Sequence, residues 1–373
     1  MIIRRRSLLS LALLLGVAAT VRAEDDGSRE FELAARLLFP KTENDFPAED
    51  VFPVPLFAVN HPFRSVAVRM PLVYALDRDG GVYVYRVGTE DRETNLRPVK
   101  TIGDAGDGDD LRVFGDALVC TDHGGLQVYS LDAPEEPKYI GRVGPNGTSD
   151  YASSIVPYGS YAFVLGKNVI CSYDMAQPTE PILLATTKTD RYGWTGCAVE
   201  NFLYVGAFDT ERNDRDGIMV CDITNPKDPQ EVGFVTTTRT PYHLFPVPEK
   251  GLLASLDADT TSNSFTGANV QVHGNSAIFS TKDPARPALA GEFRRSGGRS
   301  ATALLVNDQA YLVCEGVVFR ISDSRLERVF SFFPGSTLDA FPYHGDSDGE
   351  YAAVVSDAAV FVLRSKNPQS KPD

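Results

Sequence analysis

Apolar and polar positions alternate along most of this chain, and a helical period of 3.6 residues is nowhere sustained. Runs such as Leu72-Val73-Tyr74-Ala75, Ala117-Leu118-Val119-Cys120 and Phe202-Leu203-Tyr204-Val205 are apolar and close on Gly, Asp or Asn. That pattern predicts short strands joined by turns. A larger unit recurs above them: an apolar pair of strands, a Gly or Asp turn, an alternating strand, then x-x-P-x-x-P and a further short strand. Gly125-Leu126-Gln127-Val128-Tyr129-Ser130-Leu131-Asp132-Ala133-Pro134-Glu135-Glu136-Pro137 matches Gly217-Ile218-Met219-Val220-Cys221-Asp222-Ile223-Thr224-Asn225-Pro226-Lys227-Asp228-Pro229 position by position in character. Shorter copies are Tyr173-Asp174-Met175-Ala176-Gln177-Pro178-Thr179-Glu180-Pro181 and Ser280-Thr281-Lys282-Asp283-Pro284-Ala285-Arg286-Pro287.

The alternating third strand of the unit begins near Gly81, Gly125, Asn168, Gly217, Ser276, Gly316 and Ala358, which marks repeats 1 to 7. A period of roughly 40–50 residues with four short strands per unit predicts an all-β, seven-bladed β-propeller, with six or eight blades as the neighbouring counts. A four-stranded sheet cannot bury both faces alone, and stacking the units around an axis buries them against one another. Paired prolines fall between strands three and four, where neither needs to donate a ladder hydrogen bond.

The repeat resembles that of the LVIVD family of secreted bacterial and archaeal propellers, whose consensus runs close to G-L-x-V-x-D-V-S-D-P-x-x-P-x-x-V-G. The likeness covers about residues 60–365 and is strongest in repeats 2 to 4; repeats 1, 6 and 7 lack the double proline. It implies an exported propeller and no particular activity. The last copy has no fourth strand, so an N-terminal segment is expected to close the ring, with residues 51–59 as the expected closing strand. Residues 24–50 would form a leader on the outside with a short helix at 31–38, and 51–365 would form the propeller. The polar tail, 366–373, is expected to be disordered.

Arg4-Arg5-Arg6, an apolar run over 8–19 and Val21-Arg22-Ala23 form a cleavable export signal over 1–23, placing the mature start at Glu24. Arg5-Arg6-Ser7-Leu8-Leu9 also resembles a twin-arginine signal, so both export routes stay open. The expected location is the periplasm or the extracellular space. The apolar run is shorter than the ~20 residues of a spanning helix, which argues against membrane insertion. The full chain carries a formal charge of -14, and losing the arginine-bearing signal makes it more acidic still. Such a field repels phosphate backbones, so nucleic acid is not an expected partner. The five cysteines are dispersed within apolar runs and form no C-x-x-C pair, which predicts buried thiols rather than a zinc site or a disulfide framework.

Propellers bind ligands at the channel mouth formed by the loops from strand four to the next strand one and from strand two to strand three. The polar and aromatic residues predicted to stand there are His61 and Arg64, Asp150 and Tyr151, Arg191, Tyr192 and Trp194, Arg239, Tyr242 and His243, and Asp339. Aromatic side chains in turns give no solubility advantage; they point to stacking with a ligand or to plugs between blades. Two acidic loops, with Asp104, Asp107 and Asp109 in one and Asp209, Asp214 and Asp216 in the other, offer hard oxygen ligands of the kind Ca²⁺ takes, without matching an EF-hand. No other cofactor is expected. The sequence has no G-x-S-x-G elbow, no H-E-x-x-H and no phosphate-cradling loop. These features predict a non-enzymatic scaffold binding a protein or cell-envelope component at the channel mouth. The alternative is an exported carbohydrate-active hydrolase or lyase in the same mouth, with His243 as base beside Asp150 or Asp339 and Arg191 or Arg239 holding an acidic substrate.

Overall fold

The computed structural model describes residues 31–38, 63–77, 80–88, 96–102, 108–122, 125–145, 152–208, 216–237, 241–247, 251–256, 275–294, 301–307, 309–314, 317–322, 325–331, 342–349, 351–356 and 359–366. Every regular element among them is a strand, and all strand pairs are antiparallel neighbours. Repeat 1 is the sheet β2 (Ser65–Arg69), β3 (Leu72–Leu76), β4 (Val82–Val87) and β5 (Leu96–Ile102); repeat 2 is β6 (Leu111–Phe114), β7 (Ala117–Asp122), β8 (Gly125–Ser130) and β9 (Lys138–Val143). Repeat 5 is β16 (Pro241–Val247), β17 (Gly251–Leu256), β18 (Asn275–Ser280) and β19 (Ala288–Arg294), and repeat 6 is β20 (Ala301–Val306), β21 (Gln309–Cys314), β22 (Val317–Ser322) and β23 (Arg325–Ser331). Third strands start where the alternating pattern marks them.

Repeats 3 and 4 depart from the expectation of separate four-stranded blades. They share one six-stranded sheet, made of β10 (Ala152–Tyr158), β11 (Tyr161–Asp174), β12 (Ile182–Val199), β13 (Phe202–Phe208), β14 (Gly217–Asp222) and β15 (Gln230–Thr236). The described residues therefore form six hydrogen-bonded sheets. The cause is local: β11 and β12 run unbroken through the corners that elsewhere separate two strands. The β11 corner turns at Asn168, whose φ is 59°, a left-handed conformation that Asn tolerates better than most residues.

β24 (Pro342–Asp348), β25 (Tyr351–Ser356) and β26 (Ala359–Ser365) form repeat 7, and its fourth strand is β1 (Phe31–Leu38), paired with β26 from Phe31↔Ser365 to Leu38↔Ala359. Two sequence expectations are corrected here. The segment 31–38 is a strand rather than a helix, and it, not 51–59, supplies the closing strand; 51–59 lies outside the described residues. Phe-Glu-Leu-Ala-Ala-Arg-Leu-Leu suits either periodicity. The unpaired edge of β26 decides in favour of the strand, because it offers a row of backbone groups that another strand satisfies along its whole length.

Buried side chains sit between neighbouring repeats. Leu118 and Tyr129 of repeat 2 join Tyr74 and Val84 of repeat 1, Leu203 and Met219 of repeat 4 meet Phe163 and Leu165 of repeat 3, and Val360 and Val362 of repeat 7 meet Val66 and Tyr85 of repeat 1. Repeats 6 and 7 pack in the same way through Tyr311, Val313, Val354 and Phe361. The chain thus closes on itself as an all-β propeller.

The proline motif clasps repeats 2 and 5 to the repeats before them. Tyr74 Oη donates to Pro134 O at 3.0 Å and Tyr204 Oη to Pro284 O at 3.1 Å. The turn is the same in four consecutive repeats: the N–H groups of Glu136, Glu180, Asp228 and Arg286 donate to the carbonyls of Ala133, Gln177, Asn225 and Asp283. Gly233 lies under one such turn, and a Cβ there would stand 2.1 Å from Ala285 O. Each repeat's fourth strand carries one extra residue at the same register: Val99, Ile140, Leu184, Val232, Ala290, Val329 and Ala34 in repeats 1 to 7. Bulges twist an outer edge away from the flat form that invites pairing with another chain.

Candidate binding face at the mouth of the ring

The first strand of every repeat lines the ring's axis, and its N-terminal end stands at the predicted mouth. Four of these strands carry an extra residue there: Ser153, Trp194, Tyr242 and Tyr343 in β10, β12, β16 and β24. A bulge redirects the side chain it holds. In neighbouring repeats 4 and 5 it brings two aromatic rings together, Trp194 and Tyr242, with centroids 5.9 Å apart at 61°. Tyr192 continues the row, 5.8 Å from Trp194 and 4.8 Å edge-on to Phe208. Tyr192 is buried at 8% exposure while Tyr242 remains 36% exposed. The inner rings thus anchor the outer ones, which leaves aromatic surface at the rim.

A second cluster lies on the other side of the mouth, where repeats 7, 1, 2 and 3 meet around Asp110, which is 3% exposed. Its Oδ1 accepts from Ser65 Oγ at 3.0 Å and Leu111 N at 2.8 Å, with Arg112 Nε at 3.4 Å and His344 Nε2 at 3.2 Å. Its Oδ2 accepts from Ile155 N at 2.8 Å and Ser154 Oγ at 3.4 Å. The N–H groups of Asp109 and Asp110 both donate to buried Thr121 Oγ1. Burial alone would raise the Asp110 carboxyl, but Arg112, His344 and the Ile155 N–H outweigh it and hold the group well below the usual carboxylate range. Asp346, 3.5 Å from Arg112 Nη1, goes the other way: burial raises it against the pull of Arg112, the Val68 N–H and His344.

The other residues predicted at the mouth divide between these clusters and the rest of the ring. Arg64 forms an ion pair with Asp109 beside the Asp110 cluster, so this member of the first acidic loop is neutralised by an arginine. Arg191 turns outward: its guanidinium sits 4.1 Å over the Phe234 ring, with Nη1 2.9 Å from Asp190 and 3.2 Å from Glu231. That makes it a brace for repeat 4. His243 stacks on Phe245 at 6.0 Å and 21°. Asp216 accepts a backbone bond from Thr237. His61, Asp150, Tyr151, Arg239, Asp339, Asp104, Asp107, Asp209 and Asp214 lie outside the described residues. Among the described residues no three His, Cys, Asp or Glu side chains gather in a way that could hold a metal ion. All five cysteines are buried.

Arg112, His344 and Asp346 are not among the residues that the sequence marks for the mouth. Two signals mark them in retrospect. Pro-Tyr-His occurs at both 241–243 and 342–344, and His344, Asp346 and Asp348 recur at the strand period of two.

No family model and no curated protein matches this chain. Among solved structures, a similar chain occurs in a Saccharomyces cerevisiae complex described as Dbp5 bound to Nup159 and Gle1 with IP6 and ADP. The TM-score is 0.56 at 11% identity, over 91% of this chain and 96% of that one. At that identity the likeness concerns the fold alone. In all, 1092 chains of solved structures match, so the architecture is widely shared and assigns no activity by itself. No helix among the described residues is long and apolar enough to cross a membrane.

Proposed function

We propose that this chain is an exported, non-enzymatic propeller of the LVIVD-like kind, acting as a binding scaffold in the periplasm or outside the cell. Its partner is a protein or a cell-envelope component. The observation that carries the reading is the Trp194–Tyr242 pair: two neighbouring repeats use the same bulge to hold an aromatic ring at the mouth, and one of those rings keeps over a third of its surface exposed. Half-exposed rings braced from behind offer apolar contact area with little ordering cost on binding. The packing of His243 against Phe245 favours a binding face over a hydrolytic one.

The ring is best counted as seven blades. Repeats 3 and 4 share hydrogen bonds through β11 and β12, yet they bury a cluster between them as separate blades do.

Trp194 is the only tryptophan, so its emission reports on this face alone. Peptidoglycan fragments and purified envelope proteins titrated into the mature chain from Glu24 should shift that emission, and Tyr242→Ala should weaken the response at least about tenfold, the loss of one anchor of ~1.4 kcal/mol. Binding that survives intact in a Trp194→Ala/Tyr242→Ala double variant would overturn the site. Turnover of a glycan that disappears in His243→Ala would replace the scaffold reading with the hydrolase or lyase.

A further inference from the structure

β2 has a sheet neighbour on one side only, so alternate N–H groups along its other edge have no backbone partner. The first strand of repeat 7 supplies them with side chains instead. His344 Nδ1 accepts from Val66 N at 3.3 Å, Asp346 Oδ2 from Val68 N at 2.8 Å and Asp348 Oδ2 from Met70 N at 3.0 Å. This three-rung ladder joins the last repeat to the first, at the seam where the ring closes. Related single contacts occur elsewhere, from Leu244 N to Thr195 Oγ1 and from Leu111 N to Ser65 Oγ, but the closing seam has the only run of three among the described residues.

The three rungs differ in what a proton does to them. A carboxyl group keeps an acceptor oxygen when protonated, whereas an imidazole that accepts through Nδ1 becomes a donor at that atom. Imidazoles change charge between pH 5 and 8. We propose that His344 is a proton-operated latch on this seam: proton uptake at Nδ1 turns the acceptor of the Val66 amide into a second donor and releases that rung.

The groups around the ring support such an exchange. On the Nε2 side, Asp110 Oδ1 at 3.2 Å attracts an imidazolium, while Arg112 Nη2 at 3.0 Å opposes it; Asp346 faces Arg112 from the same strand, and the Arg64–Asp109 pair lies beyond. On the Nδ1 side, Ser65 Oγ stands 3.4 Å away and can accept the new N–H. The proton therefore moves His344 from a bond that joins backbone to seam to one within the polar cluster.

The test is hydrogen exchange on the mature chain at about pH 7.5 and about pH 5, with protection corrected for the intrinsic rate at each pH. Loss of one net hydrogen bond should lower Val66 protection about three- to tenfold at the acid pH, with Val68 and Met70 changing less. In His344→Gln, which accepts through its amide oxygen without titrating, Val66 protection should be the same at both values. Unchanged Val66 protection in the wild type, or the same acid loss in the variant, would overturn the latch. Should the variant fail to fold, ¹⁵N shifts of the His344 ring in the wild type decide the matter directly: a ring that keeps a bare Nδ1 through about pH 5 rules the latch out.

Discussion

Substituting Asp110 by Asn tests whether the polar cluster, and not only the apolar layers, holds the first three repeats and the last in one ring. The carboxylate accepts from four donors, Ser65 Oγ, Leu111 N, Ile155 N and Ser154 Oγ, and faces the Arg112 guanidinium as counter-charge and the His344 ring. Asn presents an NH₂ on one side, which sets a donor against donors whichever way the amide is turned, and it leaves Arg112 with Asp346 as its remaining carboxylate in the cluster. Removing one partner of a buried, hydrogen-bonded ion pair costs about 3–5 kcal/mol. At roughly 2 °C per kcal/mol for a domain of this size, the melting temperature should fall by about 6–10 °C. Urea unfolding followed by Trp194 emission and far-ultraviolet dichroism measures the change. Because folding lowers the Asp110 carboxyl, its contribution is complete above the ordinary carboxylate range, ~3.9, and is lost as pH falls below it. The gap between wild type and variant should therefore narrow as the pH falls below about 4. A loss under about 1 kcal/mol at neutral pH, or a gap that does not narrow below about pH 4, would refute the reasoning.

Three further outcomes follow from the packing between repeats. Tyr204→Phe removes the hydroxyl bonded to Pro284 O and should cost about 0.5–1.5 kcal/mol, read by the same urea titration. Gly233→Ala should cost more, at least about 2 kcal/mol, because its methyl would lie 2.1 Å from Ala285 O, a backbone atom of the next repeat that cannot yield without parting the two. Iodoacetamide should label none of the five thiols in the native protein and all five in urea; each is buried, and burial pushes the Cys221 thiol up to about 12. Mass spectrometry counts the adducts, and modification of Cys221 in the folded state would contradict its placement between repeats 3 and 4.

The third and fourth strands of repeats 2 to 5 were legible in the sequence because each carries its own punctuation. Alternating residues set the strand, and the Asp, Asn or Ser side chain before the proline pair sets the turn, as in Ala176 N to Asp174 Oδ1 and Thr224 N to Asp222 Oδ1. The segment 31–38 was not legible in the same way. Its strand state depends on an edge more than three hundred residues away in the chain, and local propensity does not encode such a partner. At the candidate site, Trp194 and Tyr242 stood out as aromatics in expected loops and the structure pairs them. Arg191 had the same visibility and braces the outer wall. His344 and Asp346, within His-Gly-Asp-Ser-Asp, do not stand out as part of a first strand, because a first strand in the other repeats is mostly apolar. Their polarity makes sense only once a neighbouring strand's bare N–H groups are placed opposite them.

The pairing of β1 with β26 couples the earliest-made strand to the last-made one. On a ribosome or during threading through an export channel, β1 cannot join repeat 7 until β26 has arrived, so closure is a late, long-range step that weighs against rapid folding. The antiparallel register also puts Phe31 opposite Ser365, so both chain ends leave the ring at the same point. A force applied to the two termini would load one rung at a time, as in a zipper, rather than shearing all rungs together. The ring would accordingly open at its last-formed joint before any other repeat gave way, and an optical trap holding both ends should record that opening as a small, reversible extension ahead of the main rupture.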